Sequence, residues 1–451
     1  MDLVIRNAKV VSKEVTEVLD VGVRNGKVVK IGKIDGMASK EIDASGKFLL
    51  PGVIDVHTHI EQLSGDNLTC DDFSDATYAA AVGGTTSILT FVIQQKGKSP
   101  LESVSEKMVS AKEKMYIDYG FHIAFTDVNE RTIAEIPELV NMGIKSIKVF
   151  MAFENSNLMV SDYDLIKLME ESRKYGALVG VHAENEDICV NATENLKEEG
   201  FTTLEHYYKS RPEIAELEAT NRAITFAEDI DCPVYIFHLT SSKALSKIEE
   251  AQQRGVDVIA ETCPHYLLLD KEEFESDDAY LKVMSPPLRE KKDQDALWKA
   301  IKAGAIKIIS TDHCPYTPEQ KAVGKNNFTT IAPGIPGIQT LLPLIYSKGV
   351  ASGKISINKM VEVLSYNPAQ IFNLNNKGEV KVGYDADFVI FNPDTKQVID
   401  KDYLKMKSGY SPFAGLELKG KVETTVLRGK IIYDQGKFVG QKGKGIYINR
   451  K

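Results

Sequence analysis

The chain of 451 residues is long enough to bury a large core, and 43% hydrophobic with 26% charged residues is the composition of a folded globular protein, which excludes a disordered class. A formal net charge of -9 argues against a phosphate-backbone binder, because such proteins concentrate Lys and Arg, so no nucleic acid is expected as a partner. No apolar run approaches the roughly 20 residues needed to span a bilayer, and the chain opens on strand-like Met1–Arg6 without a leader pattern, so the expectation is a cytoplasmic protein with no membrane association.

Residues 1–50 alternate apolar and polar positions, as in Leu3–Val11 and Val21–Val28, and the dipeptide Asn25-Gly26 is a strong hairpin signal. The same style returns after residue 376, in Ala386–Phe391 and Val426–Tyr433. The two ends are expected to form one small β-sandwich, residues 1–50 giving its first part and 376–451 its second part and a tail. Two separate β caps are the alternative.

In 51–375, short β-branched runs alternate with longer segments of helical periodicity, which argues for βα units and a parallel sheet. The strands are expected at 52–57, 86–92, 119–125, 146–150, 178–182, 234–238, 257–262 and 307–311, with helices over Asp164–Ser172 and Glu213–Glu228 among those between them. Eight strands is the count of a closed (β/α)8 barrel. An open doubly wound sheet is the alternative, and it would place one crevice at a switch point instead of ligands on many strands.

The first of these strands ends in His57-Thr58-His59. Side chains alternate along a strand, so the two imidazoles face the same way and can hold one metal ion, although an isolated pair could equally sit on the surface. Further candidates stand at later strand ends, where barrel enzymes build their sites: Lys148 on the fourth, His182 at the end of the fifth, His238 at the end of the sixth, and Asp312 after the eighth. Four of the eight histidines thus fall at three strand ends. His122, His206, His265 and His313 are read as packing or supporting groups. The five cysteines, Cys70, Cys189, Cys232, Cys263 and Cys314, show no CxxC spacing and suit a reducing compartment; Cys314 is read as packing beside Asp312.

Lys148 is a misfit, because an ammonium is costly to bury in an apolar strand and is repelled by divalent cations. Either it snorkels to the barrel mouth, or its neutral amine adds carbon dioxide, supplied as bicarbonate, to give a carbamate with two ligating oxygens. In the second case His57, His59 and Asp312 would hold one ion, His182 and His238 another, and Lys148 would bridge them.

His57-Thr58-His59, Lys148-Val149-Phe150-Met151-Ala152, Val181-His182-Ala183-Glu184-Asn185, His238-Leu239-Thr240, Glu261-Thr262-Cys263-Pro264-His265-Tyr266-Leu267, Ser285-Pro286-Pro287-Leu288-Arg289, Asp312-His313-Cys314-Pro315 and the late Gly383-Tyr384-Asp385-Ala386-Asp387 resemble the cyclic amidohydrolases, in their dihydropyrimidinase and hydantoinase branch. The resemblance covers nearly the whole chain. It implies an α/β fold, a (β/α)8 barrel with a sandwich from both termini, two divalent ions such as zinc, N6-carboxylation of Lys148, and a homotetramer or homodimer. The implied reaction opens a dihydropyrimidine or 5-substituted hydantoin-like ring by attack of a hydroxide shared between the metals, with Asp312 as general base and then acid.

Three positions depart from the pattern. Phe153 stands where the branch has a tyrosine that donates to the oxyanion, and losing one such donor can cost on the order of a hundredfold in rate. Ser285 is retained for substrate contact, whereas Pro333 replaces an Asn and keeps a carbonyl but no N–H. Glu61 occupies the place where dihydroorotases carry Arg, so a substrate carboxylate is expected to be repelled. The loop 61–67 is also more polar than the lid expected for bulky aryl hydantoins. An allantoinase or dihydroorotase-like ring-opening enzyme is the same-class alternative. Collapsin response mediator proteins, which share the fold but act in assembly, are the alternative of another class; they lack a full ligand set, and here all six positions are filled.

Overall fold

The apolar run 48–58 is interrupted at Gly52, and the interruption separates two sheets. The computed structural model describes residues 1–64 and 67–450. Phe48–Pro51 lies in a nine-stranded sheet made by the chain ends, and Val53–Thr58 opens an eight-stranded parallel sheet. A Cβ on Gly52 would fall 2.0 Å from Thr86 Oγ1, so only glycine lets the chain cross here.

The terminal sheet interleaves both ends. Phe388–Val398 pairs antiparallel with Phe48–Pro51 on one side and with Glu417–Leu427 on the other. Leu3–Val11 pairs antiparallel with Thr16–Arg24 and parallel with Phe48–Pro51. The apolar members of the alternating runs, among them Leu3, Ile5, Val23, Leu49, Phe388, Ile390 and Val426, pack into one buried cluster. At the hairpin, Asn25 and Gly26 take φ of 51° and 75° between the paired Arg24 and Lys27, the left-handed geometry that a two-residue turn requires.

The eight central strands, β1 (Val53–Thr58), β2 (Thr85–Ile93), β3 (Asp118–Ala124), β4 (Ser146–Phe150), β5 (Leu178–His182), β6 (Val234–Ile236), β7 (Val258–Thr262) and β8 (Ile306–Ile309), neighbour one another in sequence order and are all parallel. Helices between them start at side-chain caps: Asp72 makes a capping box for Phe73–Val82, Ser161 caps Asp162–Lys174, and Asn185 caps Glu186–Glu198. The sheet nearly closes on itself. Beyond β8, His313 bridges to Thr58, with His59 N donating to His313 O at 2.7 Å and His313 N to His57 O at 3.3 Å. At the other end of the strands the tail packs under the sheet, where the buried Arg450 guanidinium donates to Gly143 O and Ser146 Oγ, each at 2.9 Å.

Two strands end two residues sooner than expected. β6 stops at Ile236 and β8 at Ile309, so His238 and Asp312 stand in the loops beyond them. Both have left-handed backbones, with φ of 39° and 48°, a conformation that costs free energy in a non-glycine residue and is retained where surrounding structure enforces it.

Candidate metal centre

His57, His59 and Asp312 converge. Their ligand atoms lie within 4.8 Å of one another, with His57 Nε2 and His59 Nε2 3.2 Å apart and Asp312 Oδ1 at 3.0 and 3.1 Å from them. The outer nitrogens are engaged elsewhere: His57 Nδ1 donates to Glu261 Oε1 at 2.6 Å, and His59 Nδ1 to Gln62 Oε1 at 2.6 Å. In the neutral form of each ring, Nε2 then presents a lone pair inward. Two lone pairs and a carboxylate oxygen crowded together repel one another, and a divalent cation suits the place they share.

The second pair is built the same way with the nitrogens exchanged. His182 Nε2 donates to Glu184 Oε2 at 2.7 Å, leaving Nδ1 to face His238 Nε2 at 2.9 Å. The Glu184 carboxylate is fully buried and is gripped by Arg211 through Nε and Nη2, at 2.9 and 2.6 Å to Oε2. Burial opposes its charge, but Arg211 and His182 outweigh that and hold it down to about 2.

Lys148 reaches from β4 toward both groups. Its Nζ is 3.2 Å from His57 Nε2 and lies over the rings of Phe91, Phe150 and Phe237, at 4.2, 5.0 and 4.7 Å from their centroids. Burial pushes its pKa down to about 8 against the attraction of Asp312 and Glu261. Burial likewise lowers His59, to about 4, and disfavours protonation of His182 and His238. Burial thus favours the neutral form of these imidazoles, which metal ligation needs. For His57 burial also works against protonation, but Glu261 and Asp312 outweigh it and raise its pKa.

A cavity of about 290 Å³ opens on these residues and is lined by His59, Lys148, His182, His238 and Asp312 together with Phe153, Ser285 and Pro333. The Phe153 ring sits 4.9 Å from that of His182, on a left-handed backbone (φ 72°) whose N–H donates to Glu186. Ser285 Oγ is 2.6 Å from the buried Tyr207 hydroxyl, which also donates to Met284 O at 3.1 Å. Cys314 lines the same cavity, and burial pushes its thiol up to about 12, in keeping with packing.

The remaining histidines differ in surroundings. His313 Nδ1 accepts from Gly337 N while Nε2 meets Asp71, and His122 bonds Ser146 and Val56. Glu61 requires a correction. Its carboxylate is bound by Ser110 Oγ at 2.6 Å and by Lys114, on the helix Pro100–Ala111 and just past it, and faces a cavity of about 660 Å³ that shares Gln62, Ser156 and Leu158 with the first. Its charge is therefore offset by Lys114, which weakens its repulsion of a substrate carboxylate, while the lack of an arginine there still counts against one. Of the polar loop 61–67, Gly65 and Asp66 lie outside the described residues.

Sequence reasoning gave no role to Glu184, Gln62, Glu261 or Arg211. A signal existed for two of them: Glu184 shares strand parity with His182, and Glu261 is an acid near the carboxyl end of an otherwise apolar strand.

A parallel barrel carrying convergent imidazoles and carboxylates at the carboxyl ends of its strands has the architecture of a metal-dependent hydrolase. The sequence profile of the Amidohydrolase family matches residues 48–432. A D-hydantoinase of Ralstonia pickettii is 40% identical over 100% of this chain and 99% of its own, and one of Rhizobium radiobacter is 39% identical with the same coverage. A crystal structure of dihydropyrimidinase from Brevibacillus agri superposes with a TM-score of 0.98 at 40% identity, covering 100% of this chain and 99% of that one. The chain belongs to the amidohydrolase family, in its hydantoinase and dihydropyrimidinase branch. Among the described residues no helix is long and apolar enough to cross a membrane.

Proposed function

We propose that the chain opens the ring of a small cyclic amide, a dihydropyrimidine or a 5-substituted hydantoin, using two divalent ions such as zinc at the mouth of a (β/α)8 barrel formed by residues 51–375. The terminal segments 1–50 and 376–451 make the sandwich beside it. His57, His59 and Asp312 hold one ion, His182 and His238 the other, and Lys148, carboxylated on Nζ, reaches both. When bound, such ions polarise the amide carbonyl and acidify water.

The observation that carries this reading is the convergence of lone pairs, each imidazole presenting one nitrogen inward while its other nitrogen is committed to a fixed acceptor or left outside the pair. The chain's residues supply the rest. Burial lowers the Lys148 pKa to about 8, so a fraction of its amine is neutral near physiological pH and can take up carbon dioxide as a carbamate with loss of a proton. Asp312 takes the proton of the attacking water and returns it to the departing ring nitrogen, which leaves poorly as an anion. Ser285 and the carbonyl of Pro333 face the amide edge of the ring. Phe153 offers a ring face and no donor to the developing oxyanion. We place the protein in the cytoplasm as a homotetramer.

The test has two arms. Metal analysis of protein purified without chelators should find close to two ions per chain, and ring opening should be assayed side by side on dihydrouracil, hydantoin, allantoin and dihydroorotate. Near-zero metal in active protein, or activity confined to dihydroorotate, would overturn the reading. Lys148→Ala should lose both activity and metal, and full retention of both would show that Lys148 is not the bridge.

A further inference from the structure

Arg211 touches no candidate ligand, yet its largely buried side chain packs against two groups that do. Its guanidinium makes three hydrogen bonds to Glu184, and it lies 4.5 Å over the ring of Phe153, which in turn packs on His182. Arg211 is itself held from behind. The buried Arg289 donates to Arg211 O at 2.6 Å while bonding Thr240 Oγ1 at 3.0 Å and Glu216 Oε2 at 3.3 Å. Pro212 follows Arg211 and restricts its backbone.

The chemistry follows from the fork. A carboxylate with one oxygen free to rotate could turn away from His182, which would then be free to place its proton on either nitrogen. With Nη2 on Oε2 and Nε shared between Oε2 and Oε1, the carboxylate plane is fixed and Oε2 stays 2.7 Å from His182 Nε2. We propose that Arg211 is a positioning residue that, through Glu184 and the stacked Phe153 ring, sets the tautomer and ring plane of His182 and so controls ion binding at the His182 and His238 pair selectively. The His57, His59 and Asp312 group is held by Glu261 and Gln62, and none of its side chains bonds Glu184 or Arg211. The inference rests on the two-ion reading above.

Lysine at this position keeps the positive charge and loses the planar fork. Chelator-stripped wild-type and Arg211→Lys proteins are titrated with cobalt(II) alone, following the visible absorption of the bound ion and the stoichiometry by equilibrium dialysis. Wild type is expected to take up two equivalents. In Arg211→Lys one equivalent should bind with wild-type affinity and the second about 10- to 100-fold more weakly, the range seen when a ligand's supporting partner is lost. Glu184→Gln, which keeps the side chain's shape, should show the same split and serves if the lysine variant does not fold. A purely structural role for Arg211 would lower the thermal midpoint with both equivalents retained, or weaken both equally, and either result would overturn the inference alone. Fewer than two equivalents in wild type would overturn the two-ion reading itself.

Discussion

Glu261 Oε1 lies 2.6 Å from His57 Nδ1, and the same oxygen accepts the backbone N–H of His238 at 3.1 Å. One carboxylate from β7 therefore touches a residue of each ligand group, and Tyr235 Oη fixes its other oxygen at 2.7 Å. Glu261→Gln keeps the shape and removes the charge that makes His57 a strong donor. The variant should remain folded and bind metal about 10- to 100-fold more weakly, measured by competition with a chelator of known affinity. Unchanged affinity would show that the charge of Glu261 is not felt at the ligands.

Tyr207 offers a second handle on the cavity. Tyr207→Phe removes the hydroxyl beside Ser285 Oγ and the bond to Met284 O without opening a void. With Ser285 free to rotate, KM for the cyclic amide should rise about 5- to 10-fold, equivalent to roughly 1 kcal/mol of one hydrogen bond, while kcat changes little. Steady-state kinetics on a ring that the wild type opens would check it; a fall in kcat at constant KM would point to a different role.

Asp55 gives a prediction in pH. Its buried carboxylate accepts from Thr311 N at 3.1 Å, Thr311 Oγ1 at 2.6 Å and His57 N at 3.3 Å, and burial still pushes its pKa up from 3.8 to about 6. The folded state thus binds a proton more tightly than the unfolded one. Its contribution is fully present below about pH 4 and is lost as pH rises through about 6. Relative to Asp55→Asn, metal-free wild type should gain up to about 3 kcal/mol on going from pH 6.5 to 4. Denaturant melts at several pH values would show it, and parallel curves for the two proteins would contradict it.

Gly52 is the mechanical test of the crossing between sheets. Gly52→Ala places a methyl group 2.0 Å from Thr86 Oγ1 and 2.6 Å from its Cγ2. The overpacking should destabilise by about 2 to 4 kcal/mol. Adding Thr86→Ala, which removes both of those atoms, should recover part of the loss in thermal melts; no recovery would mean that backbone strain, not the clash, dominates.

Much of the scaffold was legible because β-branched runs and helical periodicity are local signals. Each of the eight central strands ends within two residues of its expected place, and the residues named at their ends do come together. What could not be read depends on distant partners. His238 and Asp312 leave their strands into left-handed loops that no propensity marks. The direction of Glu61 is decided by Ser110 and Lys114, about fifty residues away along the chain. Arg211 becomes meaningful only once Glu184 is seen between it and His182.

A ring of eight strands has one joint, and here the joint runs between Thr58 and His313. Asp55 and Thr311, bonded across it, are 256 residues apart in the chain. His57 and His59 belong to one lip of that joint and Asp312 to the other, so this group assembles only when the circuit closes, across a sequence separation whose closure costs chain entropy. An ion bound there acts as a latch on the joint. Amide hydrogen exchange at His59 and His313, whose N–H groups stitch the lips together, should slow when metal is added, while the terminal sheet should exchange as before.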